Sequence, residues 1–191
     1  TEPLRNRISL GGSISMFPYW SDLLGPLLAL EAELSLEGAN SGTRALEEYL
    51  QNRDLRQNTL ITSIRLPDQP WQGAYYRHTR TTTDRPAFSL TVLLRRSARR
   101  IEETRIVVVG CSGRYRRLSG VEKVLQGSEL RSDPSQLLEE ATEQLVIDFP
   151  ARMGFSAGYL KACAAIELKR NIASALESSP TSSESKPGRA S

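Results

Sequence analysis

Two apolar runs constrain the fold more than any other feature of the chain. Phe88-Ser89-Leu90-Thr91-Val92-Leu93-Leu94 and Glu103-Thr104-Arg105-Ile106-Val107-Val108-Val109-Gly110 are rich in residues that fit a pleated sheet. Only a short basic stretch from Arg95 to Arg100 turns the chain between them. Strands joined so briefly pair antiparallel, because a parallel pair needs a crossover of a dozen or more residues. An extended piece, Ala74 to Arg77, precedes them, and a loop carrying Arg114, Arg116 and Arg117 follows. The pattern then turns helical. Leu118 to Leu125 reads as a short helix with Ser119 as its cap. Asp133 ahead of Pro134 is an N-cap followed by proline at the first helical position, opening a helix to Leu145. Leu137, Leu138, Ala141 and Leu145 share one stripe of it. Asp148-Phe149-Pro150 breaks the pattern, and Ser156 caps a last helix running to Ile172. Leu160, Ala164, Leu168 and Ile172 recur there at helical spacing, and Lys169 and Arg170 suit its C-terminal dipole. Strands first and helices after indicate an α+β layer, an antiparallel sheet backed by helices.

Upstream of this unit the elements are shorter. Glu33 to Glu37 alternates as a strand, Thr43 to Leu46 continues extended, and Leu46, Tyr49 and Leu50 suggest a helical turn. Leu60 to Leu66 is a strong strand stopped by Pro67. The turn-rich Asp68-Gln69-Pro70-Trp71-Gln72-Gly73 marks a boundary between residues 1–70 and 71–176. The tail from Glu177 to Ser191 is rich in Ser and Pro and is expected to be disordered.

The segment Arg7 to Ile14 alternates loosely and reads as a strand entering a turn at Gly11-Gly12. Paired glycines let another surface approach the backbone, and Ser9, Ser13 and Ser15 add hydroxyls. Such a turn can aim several donors at a phosphate, and a plain structural turn uses the same residues. Downstream, Ser21 or Asp22 can cap a leucine-rich helix with Pro26 in its first turn. Asp22 is thus either an N-cap or a ligand group.

Composition excludes several classes of function. With one histidine, His78, and two distant cysteines, Cys111 and Cys163, the chain has no basis for a zinc or iron-sulfur site. The cysteines read as buried thiols, and His78 as a solvated or core-edge residue without a nucleophile beside it. No run approaches the roughly 20 apolar residues of a membrane span. The net charge of +3 allows anionic partners. The arginine clusters lack interleaved aromatics other than Tyr115, which argues against base stacking and for a solvated or subunit-contact surface.

Arg5-Asn6-Arg7-Ile8-Ser9-Leu10-Gly11-Gly12-Ser13-Ile14, followed by Ser21-Asp22-Leu23, resembles the second flavin-binding segment of the FAD (medium) subunits of molybdenum hydroxylases, the carbon monoxide dehydrogenase and xanthine dehydrogenase family. The strand ending Ile64-Arg65-Leu66-Pro67, the stretch Arg77 to Pro86 with Arg80 and Asp84, and the terminal helix carry the same likeness. Ser13 stands where that family has Asn. The resemblance implies a partial FAD-binding (PCMH-type) subdomain followed by a three-stranded antiparallel sheet on a helix bundle. It implies that Ser9, Leu10, Gly11, Gly12 and Ser13 meet the FAD diphosphate and Asp22 a cofactor hydroxyl. Leu60 or Ile61, together with Arg77, would border the flavin. The family's upstream half carries a glycine-rich phosphate loop with no counterpart here, so the expected FAD site is a partial one. By the same likeness the partners are molybdopterin-containing and iron-sulfur subunits or domains, with no nucleic acid and no membrane, and the expected location is cytoplasmic. A non-enzymatic α+β interaction module that has lost FAD binding is the competing reading.

Overall fold

The computed structural model describes residues 8–16, 18–130 and 133–178. These form a mixed α+β structure with two antiparallel sheets and six α-helices among the described residues. The first sheet has the order β2-β1-β3, from β1 (Glu33–Gly38), β2 (Gly42–Ala45) and β3 (Thr59–Arg65). The second has the order β4-β5-β6-β7, from β4 (Gln72–His78), β5 (Phe88–Ser97), β6 (Arg100–Val109) and β7 (Tyr115–Arg117). The helices are α1 (Leu10–Ser15), α2 (Leu24–Ala29), α3 (Leu46–Gln51), α4 (Ser119–Leu125), α5 (Ser135–Glu143) and α6 (Ala157–Glu177).

The β5–β6 hairpin forms as its composition demands, with Ala98 at φ 49° in the turn. The second sheet has four strands instead of three. Tyr115–Arg117, expected as loop, pairs with Val107–Val109 because Gly110 and Gly113, both at positive φ, fold the chain back sharply. Where β7 ends, the buried Glu122 carboxylate accepts the Ile106 N–H at 2.7 Å and so closes the ladder.

Both faces of this sheet are covered. Leu90, Val92, Leu94, Ile106 and Val108 face α4, α5 and α6, joined by Leu160, Ala164, Leu168 and Ile172 of the long helix. Val107 and Val109, on the opposite pleat, belong instead to a second core with Leu24, Leu27 and Leu28 of α2 and Leu34 and Leu36 of β1. A β-bulge in β3 builds that second core. Leu36 faces Ile61 and Leu34 faces Ile64, with a register shift between Ser35 and Leu36. Strict alternation would put residues three apart on opposite faces, and the extra residue brings both isoleucines inward. Leu60 is left on the outer face, 67% exposed.

Capping follows the expected chemistry in part. Ser156 accepts the Tyr159 N–H at 3.2 Å and caps α6, which runs beyond Ile172 to Glu177. Asp133 accepts from Ser135 N at 2.9 Å, but Pro134 is the N-cap of α5. Ser119 lies inside α4, which has no side-chain cap. Cys111 is buried, which raises its thiol pKa to about 11, while Cys163 is half-buried. His78 is a core-edge residue, stacked on Phe88 at 5.1 Å and bonded through Nδ1 to the Tyr76 hydroxyl at 2.9 Å. The Ser/Pro tail lies outside the described residues beyond Ser178, as does Arg7 at the start of the expected first strand.

Candidate functional site

The paired glycines lie in a helix, α1, where a strand and turn were expected. Ser9 decides this locally. Its extended backbone and its hydroxyl, which accepts from Gly12 N at 3.0 Å, make it an N-cap, and its carbonyl receives the Ser13 N–H at 3.1 Å. The N–H groups of Leu10 and Gly11 fall in the first turn, where a helix supplies no acceptor. The Ser13 hydroxyl donates to the Ser9 carbonyl at 3.0 Å. Ile14 anchors the helix in the second core, and Leu10 is 47% exposed.

Gly11 rests on β3. A Cβ built at Gly11 would stand 3.6 Å from both the Cβ and the carbonyl oxygen of Ile61. The structure therefore brings Gly11 and Ile61 together and turns Leu60 away from them, onto the other face of the strand.

Asp22 and Arg77 meet. Asp22 Oδ1 accepts the Tyr75 hydroxyl at 2.7 Å and lies 3.3 Å from Arg77 Nε. Asp22 is not a helix cap. Leu23 is the N-cap of α2, and the Leu23 N–H points to the Ser21 hydroxyl at 3.4 Å. Arg77 also donates to the backbone carbonyls of Asp84 at 3.1 Å and Thr82 at 3.3 Å. These bonds fix the guanidinium against the loop that follows β4 and leave its Nε beside Asp22 as an ion pair without a hydrogen bond. Burial, followed by the bond to Asp22, pushes the Tyr75 hydroxyl well above its ordinary pKa and keeps it a donor.

Tyr75 was missed in the sequence, although its signal was there. It is two residues from Arg77 in an extended run, so both side chains leave β4 on one face. Two further arginines steady the loop before Asp22: Arg85 lies 4.4 Å from the Trp20 ring centre and Arg152 lies 4.0 Å from that of Tyr19. No sequence spacing links those pairs.

α2 then crosses the face of the second sheet. Tyr75, Thr91, Val107 and Arg117 form one row across its four strands, and Gly25 of α2 sits over Thr91 and Val109. Beyond the helix, Glu31 reaches Arg117 Nη1 at 2.8 Å and Arg105 Nη2 at 3.0 Å. Arg105 is buried, donates to the Ala29 carbonyl at 3.2 Å, and stacks 4.6 Å from the centre of Trp71. α2 is thus fixed by a carboxylate–arginine contact at each end, on opposite edges of one sheet.

The sequence and the fold are similar to those of known proteins. Residues 1–69 match the family described as the FAD binding domain in molybdopterin dehydrogenase. Over 145 residues the chain is 29% identical to the nicotine 6-hydroxylase medium subunit of Paenarthrobacter nicotinovorans, covering 72% of this chain and 50% of that protein. The likeness is to the FAD-binding medium subunits of molybdenum hydroxylases. Two solved structures share the fold. The carbon monoxide dehydrogenase of Hydrogenophaga pseudoflava superposes with a TM-score of 0.81 at 23% identity, over 92% of this chain and 63% of the other. The quinoline 2-oxidoreductase of Pseudomonas putida 86 does so with a TM-score of 0.78 at 17% identity, over 92% and 62%. The chain spans half the length of the curated medium subunit it matches. Among the described residues no group of three or more His, Cys, Asp or Glu is placed to hold a metal, and no helix is long and apolar enough to cross a membrane.

Proposed function

We propose that the chain is part of the flavoprotein subunit of a molybdenum hydroxylase-type oxidoreductase and contributes one wall of an FAD site. The observation that carries this reading is the meeting of Asp22 with Arg77, two residues 55 positions apart that the family likeness independently assigns to the cofactor. The donor set suits a dinucleotide. The Ser9 hydroxyl accepts from Gly12 and keeps its own proton to give, and the first-turn amides of Leu10 and Gly11 are the kind of donors an anion attracts. Asp22 gives one oxygen to Tyr75 and is half-exposed, so its second oxygen can accept from a cofactor hydroxyl.

In this reading Ser9, Leu10, Gly11, Gly12 and Ser13 hold the diphosphate, Asp22 holds a hydroxyl, and Ile61 and Arg77 border the ring system. Leu60 points away from the glycines and serves as contact surface. Tyr75 orients Asp22 and spares the carboxylate from pairing wholly with Arg77. Bound FAD supplies redox chemistry between iron-sulfur and molybdopterin-bearing partners and an acceptor, while these side chains supply binding, orientation and charge.

Equilibrium dialysis of the purified protein against FAD tests the reading. Asp22→Asn and Arg77→Gln should each weaken retention about tenfold, the size of one charge-assisted hydrogen bond. Protein that takes up no FAD at millimolar concentration would favour the interaction-module reading instead.

A further inference from the structure

The far edge of the second sheet carries a hollow that the flavin reading does not use. It is an open cavity of about 520 Å³ where α3 and the Asp54–Arg56 turn meet the β6–β7 turn. Arg56, Arg114, Arg116 and Arg117 line it, and Glu47 is the single carboxylate in its wall. These arginines come from both halves of the chain. Arg56 is held by its neighbour Leu55, which is buried in the second core, and the other three by the tight turn at Gly113 and by β7.

The charges in this wall are unevenly satisfied. Arg117 is balanced by Glu31 and by Glu122, at 2.8 and 3.0 Å. Arg116 spends Nη1 on a neutral group, the Val146 carbonyl, at 3.1 Å. Arg56 Nε is buried and has no acceptor. An unpaired guanidinium N–H is costly, and with four guanidinium groups against one carboxylate the lining is short of negative charge, which a bound anion would supply. Space is also provided, because a Cβ built at Gly113 meets no heavy atom within 4 Å.

We propose that this hollow binds a phosphate oxyanion, free or as the end of a phosphorylated small molecule. Guanidinium groups approaching from the turn on one side and β7 on the other suit a tetrahedral anion, whose oxygens point in several directions; a lone planar carboxylate is satisfied by one fork. Nucleic acid fits less well. The Tyr115 ring packs partly against the second core and its hydroxyl accepts from Gln51 at 3.3 Å, so it offers no free face for a base. The site is distinct from the Asp22 edge: Tyr75 and Arg117 sit at opposite ends of one four-strand row, about 14 Å apart at ~4.8 Å per strand.

Titration calorimetry of the full chain with pyrophosphate, at ionic strength held constant with chloride, tests the proposal. Saturable one-to-one binding is expected. Arg56→Gln should raise Kd at least fivefold, and the double change with Arg116→Gln more than twentyfold, in proteins whose thermal unfolding shows them folded. Arg99→Gln, which removes the same charge at the tip of the β5–β6 hairpin, should leave Kd unchanged. ADP binding where adenosine does not would identify a phosphorylated ligand, and ADP no tighter than inorganic phosphate would identify the free anion. Absence of saturation at millimolar pyrophosphate, or equal weakening by Arg56→Gln and Arg99→Gln, would overturn the proposal. So would tighter retention of a short RNA than of pyrophosphate with the same dependence on Arg56. FAD uptake plays no part in the readout, so the two assignments stand or fall separately.

Discussion

Replacing Gly25 with alanine sets two effects of opposite sign against each other. Gly25 lies in α2, where alanine is favoured by about 1 kcal/mol through helix propensity. The added Cβ, however, would stand 2.7 Å from Thr91 Oγ1 and 3.5 Å from Val109 Cγ2. Thr91 is in the middle of a four-stranded sheet and 3% exposed, so its backbone has nowhere to retreat. A contact that close requires a movement of most of an ångström, and overpacking of a buried site typically costs 1–3 kcal/mol. We expect a net loss of about 1–2 kcal/mol, or about 2–8 °C in Tm for a chain of this size. Scanning calorimetry or urea unfolding measures it. The control is Thr91→Ala, which removes the obstructing oxygen. In that background the Gly25→Ala change should become neutral or stabilising, a coupling of about 1–2 kcal/mol between neighbours. If Gly25→Ala alone stabilises the protein, propensity governs and α2 does not lie as close to the sheet as described.

Three further outcomes can be checked. Arg105→Met removes a buried guanidinium that ties Glu31, Glu103 and the Ala29 carbonyl and stacks on Trp71; because both carboxylates can rehydrate, the expected cost in urea unfolding is about 2 kcal/mol. His78 has its pKa lowered, chiefly by burial, with the Glu167 charge opposing, so the folded state holds it neutral. Its stability contribution is intact above the ordinary value of about 6.5 and is lost as pH falls from there through the lowered folded pKa; His78→Phe should flatten the pH dependence of Tm in that window. Ala98→Gly relieves a side chain held at φ 49° in the hairpin turn and should stabilise the fold by less than about 1 kcal/mol, read as a small rise in Tm.

Much of the fold follows from local signals, and the exceptions have identifiable causes. The hairpin, the Glu33 strand, the Leu46 helical turn and the Ser156-capped helix are written in alternation, helical spacing and a cap. β7 escaped notice because Tyr115-Arg116-Arg117 has no apolar alternation; its partner strand and two glycine turns create it. α1 was misread because six residues with two glycines carry little helical signal, while the Ser9 hydroxyl supplies the cap that tips the balance. In the candidate site, Asp22 and Arg77 could be named from family likeness, but their contact is tertiary. The separation of Leu60 from Ile61 was also legible, since adjacent residues of a strand face opposite ways. The bulge that aligns Ile61 with Ile64 was not, because it depends on pairing with Leu34 and Leu36.

α2 behaves as a tie rod. One anchor is Asp22 against Tyr75 and Arg77, the other is Glu31 against Arg105 and Arg117, and Gly25 bears directly on the strands between. A single residue inserted between the anchors would swing everything after it by about 100° around the helix axis. The carboxylates could not then both reach their arginines. The spacing from Asp22 to Glu31 is therefore a length the protein must keep, even where the intervening leucines could be exchanged for other apolar residues.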